Sequence, residues 1–303
     1  MKILITGAGG FIGTKLLEDM SVTSENELYA LSRKPLAMNN VKCFECNILD
    51  AEKLEKLFER YRFDVVIHLA AITAHSEIVN NRMAAFDTNL RGTINLLNCF
   101  NTYCQHSQFL YASTGKVYGK TNELPISEMA LTNPQNILGK SKRITEQVID
   151  FYAIPENKYL ICRIFNIYGE KQKRNFVVPT IIEQLTQTYI QLGNIEDKRD
   201  YLYIDDLSLA IQACLKSALY FNNVDYVNIG LGEPISVFDI VKTIEKILNK
   251  KLRIQINKAL FRTDETPVEF CCNKKLRDLT GWQPRYSLLE GLKKTLIAEG
   301  IKF

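Results

Sequence analysis

The 303-residue chain has no apolar run long enough to cross a bilayer, which leaves no candidate for a membrane-spanning helix. It also has little net charge, +4 at pH 7. Its basic residues are scattered, apart from Lys171-Gln172-Lys173-Arg174 and Lys250-Lys251-Leu252-Arg253. No basic stripe interleaved with aromatics is present, which argues against nucleic acid as a partner. The two clusters read as solvated surface, with an anion site as the alternative. Histidines number three (His68, His75, His106), and Cys43-Phe44-Glu45-Cys46 has no second C-x-x-C to complete a zinc site, so no metal is expected. The eight cysteines are expected to be reduced and buried. No basic-then-apolar segment precedes the first strand, and a cytoplasmic location is the expectation. Internal repeats, low-complexity stretches and linkers are missing as well.

What the chain does have is alternation. Apolar residues make up 46% and charged residues 24%, ordinary values for a chain with a sizeable core. Strand patterns at Lys2–Thr6, Leu28–Leu31, Val41–Glu45, Asp64–Ala70, Gln108–Ala112 and Tyr159–Phe165 are separated by helical spacing at Gly13–Met20, Ala51–Tyr61, Thr88–Phe100 and Gly139–Tyr152. The apolar run at 64–70 fits a sheet covered on both faces. The fold class is therefore α/β, a Rossmann-like, doubly wound parallel sheet. Later segments predict helices over Val178–Gln191, Ser236–Leu248 (opened by a serine cap) and Ser287–Glu299, with strands at Tyr226–Ile229 and Arg253–Asn257.

Between the first strand and the first helix stands Thr6-Gly7-Ala8-Gly9-Gly10-Phe11-Ile12-Gly13. Gly7 suits a tight turn, Gly10 a close approach of backbone to a pyrophosphate, and Gly13 close packing of helix on strand. Free amides at the helix start would face the anion. The strand–turn–helix context is what this motif requires, so dinucleotide binding is expected. The second strand ends Leu31-Ser32-Arg33-Lys34. A carboxylate there would take the ribose hydroxyls of NAD; the arginine instead leans to the extra phosphate of NADP, with NAD as the alternative. Residues 1–168 are assigned to the dinucleotide-binding domain, with about 200–230 returning to it. A smaller, interleaved C-terminal lobe of 169–199 and 231–303 is left for a substrate.

Further motifs follow in order. They are Asn47-Ile48-Leu49-Asp50, His68-Leu69-Ala70-Ala71, the segment from Asn89 to Leu97, Tyr111-Ala112-Ser113-Thr114-Gly115-Lys116-Val117-Tyr118-Gly119, the segment from Arg163 to Gly169, the segment from Arg199 to Asp206, and Leu279-Thr280-Gly281-Trp282-Gln283-Pro284. In this order and spacing the chain resembles the extended short-chain dehydrogenase/reductases, the NAD-dependent epimerase/dehydratase group acting on nucleotide sugars. The resemblance runs from Met1 to about Glu290. It implies cofactor contacts from Gly7, Gly10, Phe11, Ile12, Gly13, Ser32, Arg33, Asn47, Ile48, Leu69, Ala70, Ala71, Asn89 and Lys142, Asn89 being a structural asparagine. It implies that Thr114 hydrogen-bonds the reacting sugar oxygen, and that Asn166, Asn175, Arg199 and Arg262 contact the rest of the substrate. It also implies a homodimer, joined through helices near Met83–Phe100 and Gly139–Tyr152.

One residue departs from the pattern. In the family a Tyr-x-x-x-Lys pair moves the proton, and here Leu138 stands four residues before Lys142. Leucine has no ionisable proton, and losing a positioned acid/base group costs about 10²–10⁴-fold in rate. Three readings stay open: a catalytically weakened or inactive protein that still binds cofactor (in the limit a non-catalytic regulatory or scaffold protein), an active enzyme with a substitute, or a chain in which the tyrosine of an active parent has been replaced in the laboratory. The substitutes are Lys142 itself, Tyr118, Tyr111, or a water held by Thr114.

Overall fold

The computed structural model describes residues 1–23, 26–73, 75–261 and 266–303. Seven strands form one sheet: β1 (Lys2–Thr6), β2 (Glu27–Ser32), β3 (Val41–Glu45), β4 (Val65–His68), β5 (Gln108–Thr114), β6 (Lys158–Ile164) and β7 (Val224–Ile229). Their order is β7-β6-β5-β4-β1-β2-β3, and every neighbouring pair is parallel. The order reverses between β1 and β4, so the crevice beyond the carboxyl ends of these two strands is where a ligand fits a doubly wound sheet.

Alternation along each strand divides the core. Ile3, Ile5, Val65, Ile67, Leu110 and Ala112 face one side, under α1 (Phe11–Thr23) and the later helices. Leu4, Val66, Phe109 and Tyr111 face the other, under α2 (Ala51–Tyr61), α3 (Gly92–Tyr103) and α4 (Ile137–Tyr152). Both faces are buried, as apolar parallel strands require.

After β6 the chain leaves the sheet. It forms short strands at Asn166–Tyr168 and Tyr201–Tyr203, which pair in parallel, and at Lys198–Arg199, which lies between Ile235–Ser236 and Val268–Glu269. Helix α5 (Ile204–Lys216) then leads back to β7. Helices α6 (Val237–Leu248) and α7 (Leu288–Ala298) each start with a capping box, Ser236 with Asp239 and Ser287 with Glu290.

The expected helix over Val178–Gln191 is corrected. It stops after Val177–Glu183, and Ile190–Leu192 is a strand on Ile254–Ile256. Gln184 explains the stop: its side-chain oxygen accepts from Gln191 N at 2.8 Å and its amide donates to Gln191 O at 3.4 Å. The helix expected over Thr88–Phe100 is broken by a π-helical turn at Asp87–Arg91, with α3 following. The strand expected over Asp64–Ala70 is trimmed to β4. Helix α5 was not foreseen, although Leu207, Ala210, Ile211, Cys214 and Leu215 are buried at helical spacing on it.

Six of the eight cysteines are buried and all are free thiols; Cys43 and Cys272 are partly exposed. Among the described residues no group of metal-ligating side chains assembles, and no helix is long and apolar enough to cross a membrane. The basic cluster at 171–174 is a neutralised surface, with Lys171 paired to Glu18, Lys173 to Glu77 and Arg174 to Glu183.

Candidate active site at the carboxyl edge of the sheet

The glycine loop wraps the end of β1. Gly7 has φ +69°, and the amide of Gly10 donates to its carbonyl at 2.9 Å. A Cβ on Gly13 would stand 2.4 Å from that same carbonyl oxygen, so α1 presses on the turn. The amides of Phe11, Ile12 and Gly13 open α1 and have no acceptor within the helix, which leaves them for an anion. A Cβ on Gly7 would lie 2.7 Å from Ala70 N, which puts Leu69 and Ala70 directly against the loop. Ala70 N donates to Thr6 Oγ1 at 3.2 Å, and Leu69 N to Thr6 O at 3.2 Å. The sequence-predicted residues of both loops therefore meet at the reversal of strand order. Arg33 and Lys34 are exposed at the end of β2, with Ser32 beside Gly9. Asn47 is exposed and turns onto Leu49 N at 3.1 Å, whereas Asp50 caps α2 by accepting from Lys53 N.

Beneath the crevice lies a buried polar layer. His68 sits between Thr6 Oγ1 at 2.8 Å and Thr93 Oγ1 at 2.9 Å, and Thr93 donates to Asn89 O at 2.7 Å. Asn89 turns inward: its side chain accepts from Ile72 N at 2.8 Å and donates to Ile72 O at 3.0 Å. It clamps the segment that continues from Ala71, within the π-helical turn. Burial, with the Lys142 charge nearby, drives the His68 imidazole down to about 3. The native state thus holds it neutral, while the unfolded chain takes a proton near 6.5. Below that pH the unfolded state binds more protons, so stability should fall by up to about 1.4 kcal/mol per pH unit. Denaturant melts from pH 7 to 4 should show this slope, and His68→Gln should flatten it.

Helix α4 brings Lys142 to this layer. Asn136 Oδ1 caps the helix by accepting from Gly139 N at 2.8 Å. Lys142 is 4% exposed, donates to Ala112 O at 2.6 Å, and lies 4.5 Å from the centre of the Tyr111 ring. Burial lowers its ammonium to about 7, against the pull of Glu146 one turn further on. Leu138 is half-buried in the first turn of α4, where its carbonyl accepts from Ser141 Oγ at 3.0 Å.

Thr114 ends β5 and opens a 3-10 turn, its hydroxyl oxygen accepting from Lys116 N at 3.3 Å. The hydroxyl hydrogen is left to donate, so capping and ligand binding are compatible. Tyr118 donates to Asn228 Oδ1 at 2.7 Å and accepts from Arg163 Nη1 at 3.1 Å. Burial pushes its phenol up to about 12, and its hydroxyl is engaged on both sides within the protein. Tyr111 is buried on the face under α4, and burial raises its phenol further still.

Asn166 lies just past β6, level with the end of β5, where Thr114 is in register with Ile164. Asn175 is exposed. Arg199 is buried and donates to Lys198 O at 2.9 Å and Pro267 O at 3.4 Å. Arg262 lies outside the described residues. Sequence reasoning missed Glu269, which is in strand register with Arg199 and takes the Lys116 ammonium at 2.9 Å. The two partners are 153 positions apart, and no local signal links them. Asp200 was missed too: it accepts from Leu231 N, Gly232 N and Cys271 N, and burial lifts its carboxyl to about 6.

The parallel sheet, the glycine turn under α1 and the Thr114–Lys142 edge define an extended short-chain dehydrogenase/reductase. A family model described as GDP-mannose 4,6 dehydratase matches residues 4–295, and the chain belongs to that family of nucleotide-sugar epimerases, dehydratases and reductases. It is 30% identical to a dTDP-4-dehydro-6-deoxyglucose reductase of Escherichia coli, over 97% of this chain and 96% of that one. A dTDP-D-glucose 4,6-dehydratase of Dictyostelium discoideum is 32% identical over 81% of this chain; the chain spans only 62% of that longer protein. Among solved structures, RMD from Pseudomonas aeruginosa complexed with NADPH superposes with a TM-score of 0.85, at 26% identity and 98% coverage of each chain.

Proposed function

We propose that this chain binds a nicotinamide dinucleotide and a nucleotide sugar, and acts as a 4-keto-reductase, epimerase or dehydratase in which Leu138 replaces the usual proton-carrying tyrosine. The observation that carries the reading is Thr114, whose hydroxyl proton is uncommitted, on the same edge as the buried Lys142. When bound, the dinucleotide would supply or take the hydride. Phe11, Ile12 and Gly13 would hold its pyrophosphate, Lys142 its nicotinamide ribose, and Thr114 the reacting sugar oxygen. Asn166, Asn175, Arg199 and Arg262 would hold the nucleotide end. Residues 1–168 with about 200–230 form the cofactor part, and 169–199 with 231–303 the substrate part. A cytoplasmic location remains part of this reading.

NADP is the preferred cofactor and NAD the alternative, because Arg33 and Lys34 stand where a carboxylate would repel the extra phosphate. Arg33→Ala should weaken NADPH by about 10-fold, the effect of one charge-assisted hydrogen bond, and leave NADH unchanged. Fluorescence titration of both cofactors measures this.

A homodimer is proposed as well. Met83, Phe86, Ile144 and Phe151 are exposed on the two helical segments expected to join the copies. Sedimentation at micromolar concentration should give a dimer, and Phe151→Glu a monomer.

The test of function is incubation with NAD or NADP and a panel of UDP-, GDP-, CDP- and dTDP-sugars, followed by chromatography and mass spectrometry, with Leu138→Tyr in parallel. Product from the unmodified chain names the substrate. Product from Leu138→Tyr alone means an intact sugar site without its acid. Cofactor binding with silence from both favours the non-catalytic scaffold, the second reading, which Leu138 itself supports.

A further inference from the structure

We propose that Lys116, held by Glu269, is the proton donor that serves in place of a phenol at position 138. The inference rests on the nucleotide-sugar reading above and gives it a direction, the reduction of a keto sugar.

Position comes first. Lys116 is two residues beyond Thr114, and its amide donates to the Thr114 hydroxyl oxygen. Its carbonyl oxygen lies so close to Gly139 that a Cβ there would stand 2.4 Å away. Residue 116 therefore abuts the turn of α4 that carries Leu138. The side chain then reaches to the strand Val268–Glu269, where its ammonium meets Glu269 Oε2 at 2.9 Å. Glu269 is in register with Arg199. The ion pair thus runs between the Thr114 loop and the Arg199 strand, the two places assigned to opposite parts of one substrate.

Access comes second. Lys116 and Glu269 keep 23% and 10% of their side-chain surface exposed. The other titratable candidates are closed off. Tyr111 and Tyr118 are each 1% exposed, and Lys142, with its ammonium on Ala112 O, is already assigned to the nicotinamide ribose. Of these side chains, that of Lys116 keeps the most exposed surface.

Chemistry comes third. The Lys116 side chain carries N–H donors, and Glu269 fixes where they are held. An ammonium suits the carbonyl oxygen of a keto sugar. In that step the carbonyl carbon receives a hydride from a reduced nicotinamide dinucleotide, and the oxygen receives one N–H proton from Lys116. The C=O bond becomes a C–H and an O–H, the nicotinamide is oxidised, and the neutral amine takes a proton back from water. Thr114 donates a hydrogen bond to the same oxygen and orients it.

The experiment supplies NADPH with dTDP-, UDP- and GDP-linked 4-keto-6-deoxy sugars, following nicotinamide absorbance. It compares the unmodified chain with Leu138→Tyr, Lys116→Met, Glu269→Gln and the double variant Lys116→Met/Leu138→Tyr. Calorimetry measures the binding of NADPH and of UDP, GDP and dTDP to each. Lys116→Met should lower kcat by about 10²–10⁴-fold with binding unchanged. Glu269→Gln, a positioning change, should lower kcat by about 10-fold at constant KM. The double variant should regain turnover, since a phenol again stands at 138. Full kcat in Lys116→Met overturns the proposal, as does a loss confined to binding, which would make the pair a structural strap. Turnover by Leu138→Tyr with none from the unmodified chain removes Lys116 as donor and leaves the nucleotide-sugar reading standing. No turnover and no nucleotide binding by any form removes both.

Discussion

Gly7→Ala is expected to weaken dinucleotide binding by about 30-fold to about 4,000-fold, or to unfold the loop outright. Two costs combine. The backbone at Gly7 has φ +69°, which costs an L-residue about 1–2 kcal/mol. The added methyl would also stand 2.7 Å from Ala70 N and 2.8 Å from Leu69 C, both main-chain atoms with little freedom to retreat. Overpacking of this kind costs about 1–3 kcal/mol. The sum, about 2–5 kcal/mol, converts to the stated range at about 1.4 kcal/mol per tenfold. Gly281→Ala is the matched control. It has φ +70° and nothing within 4 Å of a new Cβ, so it bears the backbone cost without the clash. It should lower thermal stability slightly and leave cofactor titration untouched. Equal cofactor affinity for both variants would mean that the glycine loop holds no dinucleotide.

Glu146→Ala should be the most damaging single change to stability, by about 3–5 kcal/mol. Glu146 is fully buried on α4. Its carboxylate accepts from Arg163 Nε at 3.2 Å and Nη2 at 2.9 Å, and from Ser113 Oγ at 2.5 Å. Arg163 is 4% exposed, lies against the Tyr118 and Tyr226 rings at 4.9 and 4.6 Å, and reaches Tyr118 OH and Glu128 O. Removing the carboxylate leaves a buried guanidinium without its counter-charge. Glu146→Leu with Arg163→Met removes both charges and should be much milder. Urea melts of the three forms decide the matter; a double variant as unstable as the single would place the cost in packing instead.

The sheet and the glycine turn were legible because their signals are local. Period-2 apolar runs and Gly7, Gly10 and Gly13 act within a few residues of themselves. Val41–Glu45 and Ala51–Tyr61 were read to the residue for the same reason, and the Ser236 cap was visible beside its own helix. Long-range pairing was not legible. The run Val178–Gln191 has helical composition, yet Ile190–Leu192 joins Ile254–Ile256, a contact with no trace in its own spacing. The candidate site divides in the same way. Thr114 and Lys142 could be located by motif, but Glu269 reaches Lys116 only once the chain has folded back on itself. Asn89 was expected as a structural asparagine, whereas its hold on Ile72 and the π-helical turn that carries it were not.

The seventh strand bears on how such a chain can diverge. It is laid on β6 only after the excursion through Ile190–Leu192, Lys198–Arg199 and Tyr201–Tyr203. Everything after residue 168 therefore includes α5 and β7 of the main sheet as well as the short strands of the excursion. A chain cut there would be left with β6 as a bare edge, a template for aggregation. An exchange of everything after residue 168 would therefore replace part of the sheet as well, whereas a single replacement along the crevice leaves the sheet as it is.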